Sequence, residues 1–170
     1  LSSQKVGATV ADDVTRKAFI AVIISLVVMF VYIAIRFRRW QYGLSSVVCL
    51  AHDTLIVLGM YSLFNNVLPF TMEVNQSFIA AVLTVIGYSI NNTVVIFDRV
   101  RENVNLFPKK GWKERFNSAN NSTLLRSINT SGTTIVVLLA IFIFGGETIR
   151  GFVFALLVGM LAGTFSSLFI

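Results

Sequence analysis

Five apolar runs, at roughly 18–36, 44–64, 77–97, 128–144 and 151–170, limit what this chain can become more than any other feature. Each is bounded by charges, Gly, Pro or Asn clusters, and each is long enough to cross a bilayer, the fourth barely. A helix rising ~1.5 Å per residue needs about 20 residues to cross ~30 Å of hydrocarbon. Composition points the same way: 55% of the 170 residues are hydrophobic and 13% are charged, too little polar surface to clothe a water-soluble globule. The expected fold is all-α, a polytopic transmembrane helix bundle of five spans in one domain over 18–170, preceded by a polar segment over 1–17. That segment has no Met start, no basic n-region and no small-residue cleavage site, so it reads as part of a longer chain whose beginning lies upstream.

The net charge of +6 does not point to nucleic acid, because Lys and Arg sit between the apolar runs and form no stripe with interleaved aromatics. The lipid bilayer is the expected partner, and the cations report topology. Ten of the fourteen (Arg36, Arg38, Arg39, Arg99, Arg101, Lys109, Lys110, Lys113, Arg115 and Arg126) fall in the two connections on the side of the carboxy terminus. The other side holds Lys5, Arg16, Lys17 and Arg150, diluted by Asp12, Asp13, Glu73 and Glu147. Cytoplasmic connections gather Lys and Arg, so the amino end is expected outside and the carboxy end inside. Cys49 is the single cysteine and lies within an apolar run, which leaves no disulfide framework and no metal-ligand spacing. No Ser-His-Asp set, phosphate loop or metal cluster stands at workable spacing, so neither catalysis nor a cofactor or metal is expected.

One connection has room for structure of its own. Residues 98–127 are polar and contain Pro108, Lys109, Lys110 and Gly111, whereas 112, 116, 119 and 123 carry Trp, Phe, Ala and Thr at helical spacing. A short helix lying at the inner membrane surface over 112–125 is one reading, and a plain polar linker the other.

Polar side chains inside the runs gather at one depth. Counted from Leu44, His52 and Asp53 lie about 12–14 Å inside the second run, and Asn92 lies about 9 Å from the inner end of the third, with Ser89 and Asn91 just above. The fourth run brings Asn129, Thr130, Ser131, Thr133 and Thr134 into the same half, with Arg126 at its mouth. Ser, Thr and Asn are common interhelical glue worth about 0.6–2 kcal/mol, which accounts equally well for the hydroxyls. An Asp costs roughly 2.5–3.5 kcal/mol at the centre of a span, so it faces a bundle interior or a wet cavity and needs a proton or a partner. Adjacent helical residues point about 100° apart, so Asp53 need not bond His52 and can instead face Asn92 or Arg126.

The last run carries Ala155, Gly159, Gly163 and Ser167 at intervals of four, a small-residue stripe that admits a close helix from this chain or another subunit. Gly145, Gly146 and Gly151 bracket the outer turn before it, where a short connection is expected to need positive φ.

The third run reads Gly87-Tyr88-Ser89-Ile90-Asn91-Asn92-Thr93-Val94-Val95-Ile96-Phe97-Asp98-Arg99-Val100-Arg101-Glu102-Asn103, which resembles the SecF-family signature GYSIND-TVV-x-x-DR-x-REN. Thr123-Leu124-Leu125-Arg126-Ser127-Ile128-Asn129-Thr130-Ser131 is similar to that family's TLxRTxxTS segment, followed by Phe144-Gly145-Gly146 and Gly151-Phe152. Ile35-Arg36-Phe37 and His52-Asp53 match as well, so the resemblance runs over essentially the whole chain. It implies the second through sixth spans of SecF, or of the matching half of a fused SecDF polypeptide, in the resistance-nodulation-division superfamily. It implies pairing with SecD in the bacterial inner membrane and action beside the channel SecYEG on a translocating preprotein. Protons would be the coupling ion, and the amino end of the chain would be periplasmic.

The sequence departs from that pattern at one position that matters. The family's motif has Asp where this chain has Asn92, and an amide cannot load and release a proton near neutral pH. If the Asn is natural, relay duty has moved to Asp53 or to the partner half. If it was introduced, which is the favoured reading, it mimics the protonated acid. The resemblance makes position 92 the loading site or its neutral mimic and Arg126 an electrostatic control. Depth alone adds His52 and Asp53 as a second wet contact, with Thr130, Ser131 and Thr134 along the water path. Two rival classes remain: a small-molecule or lipid efflux subunit of the same superfamily, and a non-transporting membrane scaffold.

Overall fold

A computed structural model describes residues 8–65, 67–70, 72 and 74–169. Residues 1–7 of the polar amino-terminal segment, Glu73 and Ile170 lie outside the described residues. Five helices follow one another: α1 Ala8–Phe37, α2 Trp40–Phe64, α3 Gln76–Leu106, α4 Trp112–Phe144 and α5 Glu147–Phe169. Each is long and apolar enough to cross a membrane, and among the described residues there is no strand. Helix α1 begins inside the segment read as polar, and Lys17 and Asp13 pair one turn apart there at 2.6 Å.

The helix ends follow from local chemistry. Arg38, at φ 55, takes the left-handed conformation that stops α1, and extended Arg39 then starts α2. The Asn75 side chain accepts a hydrogen bond from Phe78 N at 3.1 Å and caps α3. Glu114 lies in the first turn of α4 and Glu147 in that of α5, where carboxylates complement the helix dipole. The turn between α4 and α5 differs from expectation. Gly145 is extended, at φ −73, and among the described residues no glycine has positive φ. Glycine is required there by crowding: a Cβ on Gly145 would overlap the Ile141 carbonyl and come within 2.9 Å of Ile149 Cδ1.

Residues 112–125 are helical, but they form no separate helix on the membrane surface. They are the first part of α4, a single 33-residue helix about 50 Å long, which outreaches the ~30 Å hydrocarbon layer. The breakers Pro108 and Gly111 precede Trp112, and no proline interrupts the chain after it. The apolar stripe that suggested membrane contact packs on protein instead: Phe116 and Ala119 sit against Ile96, Val100 and Val104 of α3 and Leu168 of α5. Helices α3 and α4 thus continue beyond the bilayer as a pair joined by a short turn.

Helices α2, α3 and α5 all touch one another and form the centre; α1 adds to α2 and α3, and α4 to α3 and α5. Half of the most apolar stretch of α3 and 56% of that of α5 are buried, against 6% for α1. The exposed faces of α1 (Ile20, Ile24, Val27, Ile35) and α4 (Val136, Val137, Ile143) would be penalised in water and suit contact with lipid tails. Lipid is as apolar as the core, so helix association there depends on close packing and interhelical hydrogen bonds. Glycines supply the close approach. A Cβ on Gly43 would lie 2.9 Å from the Phe30 carbonyl of α1, and one on Gly159 would collide with the Val85 side chain of α3.

Candidate functional site

Buried hydroxyls within a span usually satisfy themselves on their own helix, and most do so here. Ser46 donates to Gly43 O, Thr54 to Leu50 O, Thr93 to Ser89 O and Ser166 to Gly163 O. Two contacts are different in kind because they join buried side chains of different helices. Ser89 Oγ on α3 donates to Asp53 Oδ2 on α2 at 2.6 Å, and Asn92 Nδ2 on α3 donates to Ser131 Oγ on α4 at 3.2 Å. Ser89 and Asn92 are about 4.5 Å apart along the helix axis, so α3 carries both contacts within one turn.

Asp53 is completely buried, and its other oxygen, Oδ1, lies 3.2 Å from Nδ1 of His52, whose side chain is 34% exposed. The neighbours on one helix therefore do bond each other, and Asp53 meets neither Asn92 nor Arg126 among the described residues. Against this pair stands Gly163 of α5, where a Cβ would lie 3.0 Å from Ser89 Oγ and 3.3 Å from Asp53 Oδ2. Three helices thus close on one carboxylate with no spare volume. Asp53 is the one acidic residue within any of the five apolar runs.

The structure also places the remaining polar residues singled out in the sequence. Ser131 is buried, Thr130 exposed and Thr134 partly buried, its Oγ1 3.4 Å from the Tyr88 hydroxyl. Arg126 is exposed and lines a cleft of about 460 Å³ where the carboxy-terminal part of α3 meets the amino-terminal part of α4, with Asp98, Arg99, Glu102 and Ser122. In the same region Arg36 of α1 lies 3.6 Å from Asp98 of α3. Among the described residues no three His, Cys, Asp or Glu side chains converge as metal ligands would.

These residues lie along a chain that matches, over residues 1–170, the family described as protein export membrane protein SecD/SecF, C-terminal. The chain belongs to the SecD/SecF family. It is 52% identical over 165 residues to the protein translocase subunit SecF of Rhodothermus marinus, covering 97% of this chain and 53% of that one. It is 39% identical over 170 residues to the protein translocase subunit SecDF of Thermus thermophilus, covering 22% of it. A crystal structure of SecDF in a super-membrane-facing form matches with TM-score 0.82 at 38% identity, over 97% of this chain and 21% of that one. The chain spans about half the length of the SecF relatives it matches.

Seen as a SecD/SecF-family bundle, the small-residue stripe of α5 has its neighbours inside the chain: Gly159 lies on Val85 and Gly163 on Ser89 and Asp53. The seam ends differently from the interval-of-four pattern. Ser166 is fully buried, with its carbonyl 4.0 Å from Cys49 Sγ, whereas Ser167 is half-buried and bonds Thr164 O. A step of four overshoots the 3.6-residue turn by about 40°, so three steps carry Ser167 about 120° off the face that Ala155 starts. Eleven residues come close to three whole turns, which returns Ser166 to it. The hydroxyl of Ser89 was legible only as part of a polar belt; its role as the α3 partner of Asp53 had no signal along the chain.

Proposed function

We propose that the full-length protein, paired with SecD or a SecD half, couples inward proton movement to late steps of polypeptide export across the bacterial inner membrane. Its partners would be the channel SecYEG and the translocating preprotein. The amino end of this chain would be periplasmic and the carboxy end cytoplasmic. The reading gives the chain a transport role with the proton as coupling ion, and no enzymatic chemistry or cofactor. The observation that carries it is the buried interhelical pair of contacts, Ser89 to Asp53 at 2.6 Å and Asn92 to Ser131 at 3.2 Å, in a chain of this family.

The energy scale is adequate. One charge moved through 100 mV releases about 2.3 kcal/mol, and ~1.36 kcal/mol is a factor of ten, so one proton shifts a conformational ratio about 50-fold. Position 92 acts as the loading site or its neutral mimic, and Arg126, in the inner cleft, sets the local potential. Ser131 holds the side chain at 92, and Thr130 and Thr134 border the water path on the same helix. His52 and Asp53 make the second wet contact.

Export into sealed vesicles bearing the full complex, driven by membrane potential, tests this reading. Asn92→Asp restores a group that can load a proton and is expected to raise the rate several-fold, while Arg126→Ala lowers it. Equal rates for the parent and Asn92→Asp would remove position 92 from the mechanism.

A further inference from the structure

We infer that Asp53, His52 and Ser89 form a proton-binding site, on the side of α3 that faces α2 and α5, separate from the Asn92–Ser131 contact on the side that faces α4. Asp53 is fully buried yet engaged on both oxygens: Oδ2 accepts from Ser89 at 2.6 Å and Oδ1 lies 3.2 Å from His52 Nδ1. His52 is the half-exposed member of the pair, so it connects the enclosed carboxylate to the surface of the bundle. The groups facing the carboxylate are few. From α2 they are His52 and, one turn away, Cys49, which points its sulfur toward Ser166 O; from α3, the hydroxyl of Ser89; from α5, Gly163. Residues 151–169 of α5 carry no charged side chain, and the nearest charge along α3, Asp98, is about 13 Å away by the helical rise.

The proton transfer balances without another reactant. With Asp53 ionised, neutral His52 donates its Nδ1–H to Oδ1. A proton arriving at Nε2 from outside the bundle lets the Nδ1 proton pass to Oδ1, which leaves a neutral imidazole with the other tautomer and a neutral carboxylic acid. One proton is bound, and the 3.2 Å contact reverses its polarity. The uptake is felt by three helices. A hydrogen bond to an ionised acceptor is about twice as strong as one to a neutral acceptor, so protonation weakens the Ser89 tie between α2 and α3. Gly163 leaves no room for the two groups to drift without moving α5.

The use of this site in coupling rests on the export reading, whereas its ability to bind a proton does not. The experiment is infrared difference spectroscopy on the full-length protein with its partner half in liposomes, before and after the medium is acidified. The expected result is a carboxylic-acid carbonyl band that appears on acidification, is lost in Asp53→Asn, and is altered in size or frequency in His52→Gln. Ser89→Ala is expected to shift the band's frequency by removing its hydrogen bond, which keeps the test open if Asp53→Asn fails to assemble. An acid-band spectrum identical in the parent, Asp53→Asn and Ser89→Ala would overturn the site. A band that appears on acidification and is lost in Asp53→Asn, together with unchanged potential-driven export, would leave the site standing and remove it from the coupling.

Discussion

The contact between Gly159 of α5 and Val85 of α3 permits a worked test of what holds the centre of the bundle together. A Cβ added at Gly159 would overlap both Val85 methyls and lie 2.9 Å from its Cβ. Val85 is 1% exposed, and a valine in a helix holds one χ1 rotamer about 90% of the time, so it cannot swing aside. The helices must part, and overpacking of this kind costs about 1–3 kcal/mol. Against that stands a gain of about 0.8–1.0 kcal/mol from replacing Gly by Ala within a helix. The clash wins because the collision is with a branch point, so Gly159→Ala is expected to destabilise by up to ~2 kcal/mol net. Gly59 of α2 has nothing within 4 Å and is the control: Gly59→Ala keeps only the propensity gain and is expected to be neutral or stabilising. Combining Gly159→Ala with Val85→Ala removes the colliding methyls, so the pair should be less destabilised than the sum of the singles by at least ~0.5 kcal/mol. Reversible denaturant unfolding of the full-length protein in mixed micelles measures all four variants. Additivity within ~0.3 kcal/mol, or equal effects at 159 and 59, would refute the claim that this approach limits α3–α5 packing.

Two smaller effects can be read with the same unfolding assay. Asn75→Ala removes the acceptor for Phe78 N at the start of α3 and is expected to cost about 0.5–2 kcal/mol, with Asn75→Ser recovering most of it. Asp98→Asn breaks a half-exposed pair whose atoms are 3.6 Å apart, so the loss should stay within about 0–1 kcal/mol and shrink with added salt.

Much of the architecture was legible along the chain, since lipid imposes its rule residue by residue. A run that can satisfy every backbone group internally and present apolar side chains must be a helix of about 20 residues, and five such runs gave five helices. Hydropathy was blind to helix outside the hydrocarbon. The adjoining ends of α3 and α4 are polar on their exposed faces, and their helical continuation is held by Ile96, Val100, Phe116 and Ala119 meeting across the pair. The same four-residue spacing suits a membrane surface or a protein groove, so periodicity revealed the stripe without its partner. The reading of the glycine turn between α4 and α5 failed for a related reason: glycine there answers crowding by Ile141 and Ile149, a tertiary demand, and not a left-handed backbone.

The sequence alone determined that the chain carries five helices fit to cross a membrane and that His52, Asp53, Asn92 and Ser131 lie within their apolar runs, because position is counted along a helix at a fixed rise. Which groups meet was decided only in three dimensions. Depth says nothing about rotation around the helix axis, and that rotation is set by side-chain packing such as Gly159 on Val85. It turned Asp53 toward Ser89 and Gly163, and Asn92 toward Ser131, leaving one carboxylate enclosed by three helices.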